Sequence, residues 1–198
     1  MRKILLIIVM LGGIISAGAQ DAGKIWVGGS IGFSTSKKTD LDRTYDYNVL
    51  PEFGYIVSEN VGIGINLGYA HSETSYNEMD IMGELYNFKY KSDGFKVNPF
   101  VRVSFLKGDI GSLFVDGGVG YAYTKNKYGN ESREDDKTNA FDVGLSPGIA
   151  LNVSDKVILT AKYGFLGYNY SKTGDVKTDT FGFNFNFNRA LFGVNFIF

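Results

Sequence analysis

The chain has 198 residues, 44% of them hydrophobic and 21% charged, with a net charge of -1 and no cysteine. So even a balance, with no basic stripe, excludes a protein that works by charge on nucleic acid, and the missing cysteines exclude disulfide and thiolate–metal scaffolds. After Gln20 no apolar run approaches spanning length; that excludes a helical membrane protein but not a membrane barrel, whose strands alternate.

The first element reads as an export leader. Arg2 and Lys3 precede an apolar run from Ile4 to Ile15, and the small residues Ala17 and Ala19 follow in "SAGAQ". That order is a secretory signal peptide, and its 12-residue core is shorter than the about 20 residues of a spanning helix. Cleavage is expected after Ala19 or Gln20. Residues 1–20 are then the signal peptide and 21–198 a single domain, whose net charge becomes -3 once Arg2 and Lys3 leave.

Eight stretches of period two follow. Their apolar faces are Ile25, Val27, Ile31 and Phe33, then Val49, Phe53, Tyr55 and Val57, then Val61, Ile63, Ile65, Leu67 and Tyr69. Phe95, Val97, Val101, Val103 and Phe105 form the fourth, and Leu113, Val115, Val119, Tyr121 and Tyr123 the fifth. The sixth is Phe141, Val143, Leu145, Ile149, Leu151 and Val153, and the seventh Val157, Leu159, Ala161, Tyr163 and Phe165. The closing stretch, "LFGVNFIF", is the eighth. This periodicity predicts strands throughout.

Tight connections at 58–60, 107–110 and 154–156 alternate with longer polar ones expected at 37–46, 72–93, 125–139 and 170–180, as in the hairpins of an up-and-down barrel. Pro51, Pro99 and Pro147, spaced 48 and 48 apart, each fall in the second strand of a long-loop hairpin; local bulges are expected there, because proline lacks a ladder donor. In "FNFNFNRALFGV" the apolar positions change from odd to even, which predicts a bulge or break near Arg189.

The polar face separates a membrane barrel from a soluble one. It reads Gly62, Gly64, Asn66 and Gly68 on one strand, and Gly144, Ser146, Gly148 and Ala150 on another. Such small residues suit the crowded lumen of an eight-stranded barrel rather than a solvated exterior. Its charges are Glu52, Lys96, Arg102, Asp116, Asp142 and Lys162, three of each sign. Counted from the tight turns they fall into two neutral layers, four charges and two. Isolated buried charges are costly, so a lumenal salt-bridge network is expected; the alternative is that some sit in water near a rim, unpaired. The apolar face then meets lipid, with Tyr47, Tyr55, Tyr69, Tyr121, Tyr123 and Tyr163 toward the strand ends as interfacial girdles.

With its leader, "WVGGSIGFSTS", "LPEFGYIVSENVGIGINLGY" and the closing "FGVNFIF", the chain resembles the small outer-membrane β-barrel proteins of Bacteroidota, a porin family similar in turn to the OmpX, OmpW and OmpA-barrel group. The resemblance implies an all-β, eight-stranded antiparallel transmembrane barrel in the outer membrane of a Gram-negative bacterium. Loops would be extracellular, both termini periplasmic, and no periplasmic domain would follow Phe198. It implies that Phe192, Val194, Phe196 and Phe198 are read by the barrel-assembly machinery. Outer-membrane lipid and lipopolysaccharide are the implied surroundings of a monomer, with a possible extracellular or host ligand at the loops.

Chemistry-bearing motifs are few. His71 is the single histidine, and Ser72 and Glu73 adjoin it, but neighbours on a strand face opposite ways and make no triad. The acidic run "ESREDD" at 131–136 reads as solvated loop, and no cofactor or metal site is expected. The loop 73–92, with Ile81, Met82, Leu85 and Phe88, is expected to fold over the rim or touch a partner. The expected function is a non-enzymatic envelope protein acting by loop contact, adhesion or membrane anchoring. The alternative is a narrow pore or conduit for small or hydrophobic solutes. Whether Glu52, Arg102, Asp116 and Lys162 interlock discriminates the two.

Overall fold

The computed structural model describes residues 22–38, 42–79, 85–128, 137–184 and 190–198; the leader lies outside them. Ten antiparallel strands form one wall: β1 (Ile25–Lys38), β2 (Asp42–Ile56), β3 (Val61–Met79), β4 (Leu85–Gly108), β5 (Gly111–Tyr128), β6 (Lys137–Ser154), β7 (Val157–Lys162), β8 (Phe165–Thr173), β9 (Val176–Asn184) and β10 (Leu191–Ile197). They make eight staves, because β7 and β8 both pair with β6 as halves of one stave, and β10 and β9 pair with those halves in turn. The barrel closes between β1 and β10, in register from Trp26↔Ile197 to Ile31↔Phe192. Phe198 completes the seam, its N–H donating to the Ile25 carbonyl at 2.9 Å.

The wall is apolar outside and polar inside. Phe33 is 71% exposed and Phe181 78%, whereas Glu52, Asp116, Lys162 and Asn195 are buried. Such an exterior is stable only against lipid. On β2 it runs from Tyr55 to Tyr47, roughly 20 Å along a tilted strand and close to the ~25 Å apolar band of a membrane barrel.

The long polar connections prove to be mostly strand. β3 runs to Met79, β4 starts at Leu85, β5 reaches Tyr128 and β6 begins at Lys137. Polar sequence beyond the lipid band does not have to turn, since a neighbouring strand can continue the ladder without an apolar face. The fourth connection is short, a hairpin through Gly174 (φ 56°) and Asp175, so short and long do not alternate strictly. Strands such as β4, 24 residues long, exceed the 9–11 needed to span and continue as a collar beyond the apolar band. The apolar loop residues Ile81 and Met82, and the "ESREDD" run, lie outside the described residues.

Two further expectations need correction. Registers are unbroken across Pro51 and Pro99: the β2–β3 ladder skips residues 50–51 and the β4–β5 ladder 98–99, then both resume in phase. Pro147 pairs in register with Val115. No bulge forms, because dropping a donor does not require adding a residue. Phe165 does not share the lipid face with Leu159. Gly164 adopts φ 87°, a left-handed conformation that reverses the pleat, so Phe165 turns into the lumen and Leu166 and Tyr168 face outward. The phase change anticipated near Arg189 lies between Asn184 and Leu191, across residues outside those described; Phe183 faces out on β9 and Phe192 on β10.

Candidate functional site: a charged lumenal ring beneath an open vestibule

Two glycines admit the aromatic packing around the ring. Trp26 projects inward from β1 and is 4% exposed; a Cβ on Gly54, directly across the β1–β2 ladder, would fall within its indole. Phe114, 1% exposed, similarly occupies the space a Cβ at Gly148 would need.

Four charges from four strands interlock among these rings. Arg102 on β4 donates to Asp116 on β5 through Nε (2.7 Å) and Nη2 (2.9 Å), and its Nη2 lies 3.0 Å from Glu52 Oε1 on β2. Lys162 on β7 reaches Glu52 Oε2 at 2.6 Å and Asp116 Oδ2 at 3.0 Å. Each acid therefore touches both bases, and each base both acids. Trp26 Nε1 (2.9 Å) and Asn195 Nδ2 (3.2 Å) donate to Glu52 Oε1, filling the lone pairs that buried carboxylates must satisfy. The Arg102 guanidinium lies 4.3 Å from the Phe114 ring centroid and 5.4 Å from that of Trp26, a geometry that favours the cation.

Lys96 and Asp142 lie apart from the four and pair with each other, at 2.7 Å. Around them opens a vestibule of about 620 Å³, floored by Phe100, Asp116 and Lys162 and walled by Asn48, Asn66 and Ser146 among others. Asp46 also faces this space, accepting from Ser34 Oγ at 2.9 Å and Ser72 Oγ at 2.5 Å. Sequence reading placed Asp46 in a loop; counting back in twos from Glu52 would have found it. Trp26 was likewise missed as a ring member, although it is the sole tryptophan and lies on the polar parity.

His71 lies on the wall's outer side with Asp93 (Nδ1–Oδ1, 2.8 Å), and Tyr69 donates to the same oxygen at 2.6 Å. Ser72 faces the lumen instead, so these neighbours share no site. The two hydrogen bonds hold the Asp93 carboxyl below its ordinary value. Tyr47, Tyr55, Tyr69, Tyr121 and Tyr123 are exposed on the outer wall. Phe192, Val194 and Phe196 point outward from β10, and Phe198 is exposed at its end. No group of three or more His, Cys, Asp or Glu able to hold a metal occurs among the described residues.

On one side of β1 the described ladder to β10 ends at Ile31. Beyond Ile31, no ladder joins β1 to β9 among the described residues. Phe33, Phe165, Ala190 and Leu191, beside this seam, also line the vestibule.

The profile of the family described as "Outer membrane protein beta-barrel domain" matches residues 5–188. Among solved structures the chain is similar to a major outer membrane protein from Thermus thermophilus, at 12% identity and a TM-score of 0.52, covering 89% of this chain and 100% of that one. It is similar also to OprG from Pseudomonas aeruginosa, at 11% identity and 0.50, covering 91% and 98%. Ail, the attachment invasion locus protein of Yersinia pestis, aligns at 16% identity and 0.41, covering 89% and 99%. At such identities the likeness is one of fold. No curated protein sequence matches. With its apolar exterior, its polar lumen and this family match over most of its length, the chain belongs to the outer membrane protein β-barrel domain family and is an outer-membrane β-barrel.

Proposed function

We propose that the barrel is a non-enzymatic surface protein with a sealed lumen, in which the collar and its connections make contacts outside the cell. The observation that carries this is the ring of Glu52, Arg102, Asp116 and Lys162. Charges lining separate walls would leave a water path between them; charges bonded across the lumen fill it. The collar points outward, both termini are periplasmic, residues 1–20 are removed, and the protein is a monomer surrounded by lipid and lipopolysaccharide. Phe192, Val194, Phe196 and Phe198 present the alternating strand end to the assembly machinery. The finer kinship with the Bacteroidota barrels, and through them with OmpX and OmpW, is part of this reading. Protein purified from outer membranes and shown folded by its heat-shifted gel band is expected to be silent in planar bilayers. Discrete, reproducible single-channel openings would overturn it.

A second reading is favoured by the apolar lining of the vestibule. A vestibule floored by charge, with Phe33, Phe165 and Leu191 at its side, suits an apolar solute that enters from above and leaves sideways into lipid. Liposomes carrying the protein would then pass apolar solutes while excluding small ions. A sealed barrel passes neither.

A further inference from the structure

Phe165 stands apart from the other aromatics of the wall. The reversal at Gly164 turns it into the lumen, so a large apolar side chain is withdrawn from lipid. Its seat is a pair of ladder partners without side chains. Gly144 and Gly167 face each other across β6 and β8, and a Cβ on either would lie 2.6–2.7 Å from the Phe165 ring. Trp26 and Phe114 also lie over glycines, but both are buried around the four charges. Phe165 is half-exposed, and the space it borders is the vestibule.

Polar groups that donate and groups that accept surround this platform. Asp142 precedes Gly144 by two residues and shares its lumenal face one step higher. Lys96 bonds Asp142 from β4 at 2.7 Å, and its side chain is 38% exposed, so the ammonium has further N–H groups to offer. Ser146 lines the same space one step lower. On β3, Asn66 is 7% exposed and also lines the vestibule. Its Oδ1 accepts no hydrogen bond, and neither does that of Asn48. A buried acceptor without a donor is costly, so whatever enters must bring donors.

The matching ligand has a flat apolar face for Phe165 and several O–H groups that both donate and accept. We infer that the vestibule binds the pyranose ring of a neutral sugar, stacked on Phe165 with adjacent hydroxyls shared between Lys96 and Asp142. The C–H face of a pyranose is weakly positive and meets the negative face of an aromatic ring. A purely apolar solute would instead desolvate the Lys96–Asp142 pair and Asn66 without matching them. At about 620 Å³ the vestibule lies within the roughly 300–1,000 Å³ of small-molecule pockets. A free sugar and the end of a surface glycan present the same chemistry here. The site deepens the surface-contact reading above, and only the side from which the sugar arrives rests on that reading.

The test uses the folded barrel in detergent micelles, with methyl glucoside, methyl galactoside and methyl mannoside as probes. Saturation-transfer NMR reads contact and its titration reads affinity, with protein-free micelles as the blank. At least one glycoside is expected to bind, and its fully O-methylated form, which keeps the ring but donates no hydrogen bond, is not. Phe165→Ala should weaken binding roughly fivefold, the scale of one aromatic contact, and Asp142→Asn roughly tenfold, the scale of a hydrogen bond to a charged group. Gly144→Ala should weaken it as well by unseating the Phe165 ring, though it touches no polar group. Asp93→Asn, on the outer wall, should change nothing. No binding by any of the three would mean that the orphaned carbonyls hold water only, and would overturn the site. Equal binding of the O-methylated form, or wild-type affinity in a heat-shifted Phe165→Ala variant, would overturn it too. A disaccharide ending in the bound sugar separates the sources: tighter binding than the monosaccharide points to a glycan end, weaker binding to a free sugar. Micelles have no sides, so the result does not depend on orientation or on sealing. A silent barrel that binds no sugar fails the site alone; a conducting one that binds it fails the sealed-lumen reading alone.

Discussion

Asn98 donates its side-chain amide to the carbonyl of Val119 at 2.7 Å, where the β4–β5 register would set Pro99 opposite Val119. Pro99 has no N–H to offer, so a neighbouring side chain supplies the ladder donor that proline removes. An unpaired carbonyl in the lipid band is costly. Asn98→Leu is therefore expected to destabilise the barrel by about 1–3 kcal/mol, read as a lower midpoint for the heat-dependent gel shift. Pro99→Ala restores the N–H, so Asn98→Leu should do less harm in that background. Equal losses in both backgrounds would remove the replacement role.

The ring predicts a sharp asymmetry between single and double substitutions. Glu52→Gln leaves Arg102 and Lys162 sharing one carboxylate, Asp116, and is expected to cost about 3–5 kcal/mol. Combining it with Lys162→Met restores neutrality and should recover much of that loss. Urea unfolding in lipid vesicles measures both. A double variant as weak as the single one would mean that packing, not charge balance, dominates.

Trp26 gives the ring an optical reporter, since no other tryptophan exists. Gly54→Ala sets a methyl group where the indole lies, and overpacking of this kind typically costs about 1–3 kcal/mol. The expected result is a red-shifted Trp26 emission together with easier heat modification. Unchanged emission would show that the indole has room to move.

Asp93 predicts a pH dependence. Its carboxyl is held below the ordinary 3.8 by the Tyr69 and His71 hydrogen bonds, so the stabilisation is present above that value and is lost as pH falls through the lowered one. The difference in unfolding midpoint between wild type and Asp93→Asn should shrink as the pH falls below about pH 4 and the carboxylate is protonated. A difference that persists undiminished in acid would exclude a charge-dependent origin.

Period-two alternation carried most of the wall because a membrane barrel imposes one rule on every stave, apolar out and small or polar in. That rule fails where the backbone departs from the pleat, and apolarity alone does not mark the departure. Tyr163 and Phe165 look like one continued face until Gly164 takes a positive φ. Strand ends were equally hidden: nothing in "RTYDY" distinguishes loop from polar strand, and Asp46 was lost with it. Glu52, Arg102, Asp116 and Lys162 stood out because each interrupts a run of small lumenal residues. Their two-by-two bonding depends on stagger between strands, which one strand's sequence does not contain. The Asn98–Val119 contact was beyond reach for the same reason.

The ring also bears on the order of assembly. Its members come from β2, β4, β5 and β7, and Glu52 meets Lys162 across 110 residues of chain. A sheet that entered the bilayer before its edges met would carry Glu52 on an early strand and Lys162 on a late one, each facing hydrocarbon without its partner. Partial insertion is thereby penalised at both edges, and the penalty lifts only when the first and last hairpins come together. Electrostatics thus makes closing and crossing a single event, so a half-threaded sheet is the least favourable species on the way in.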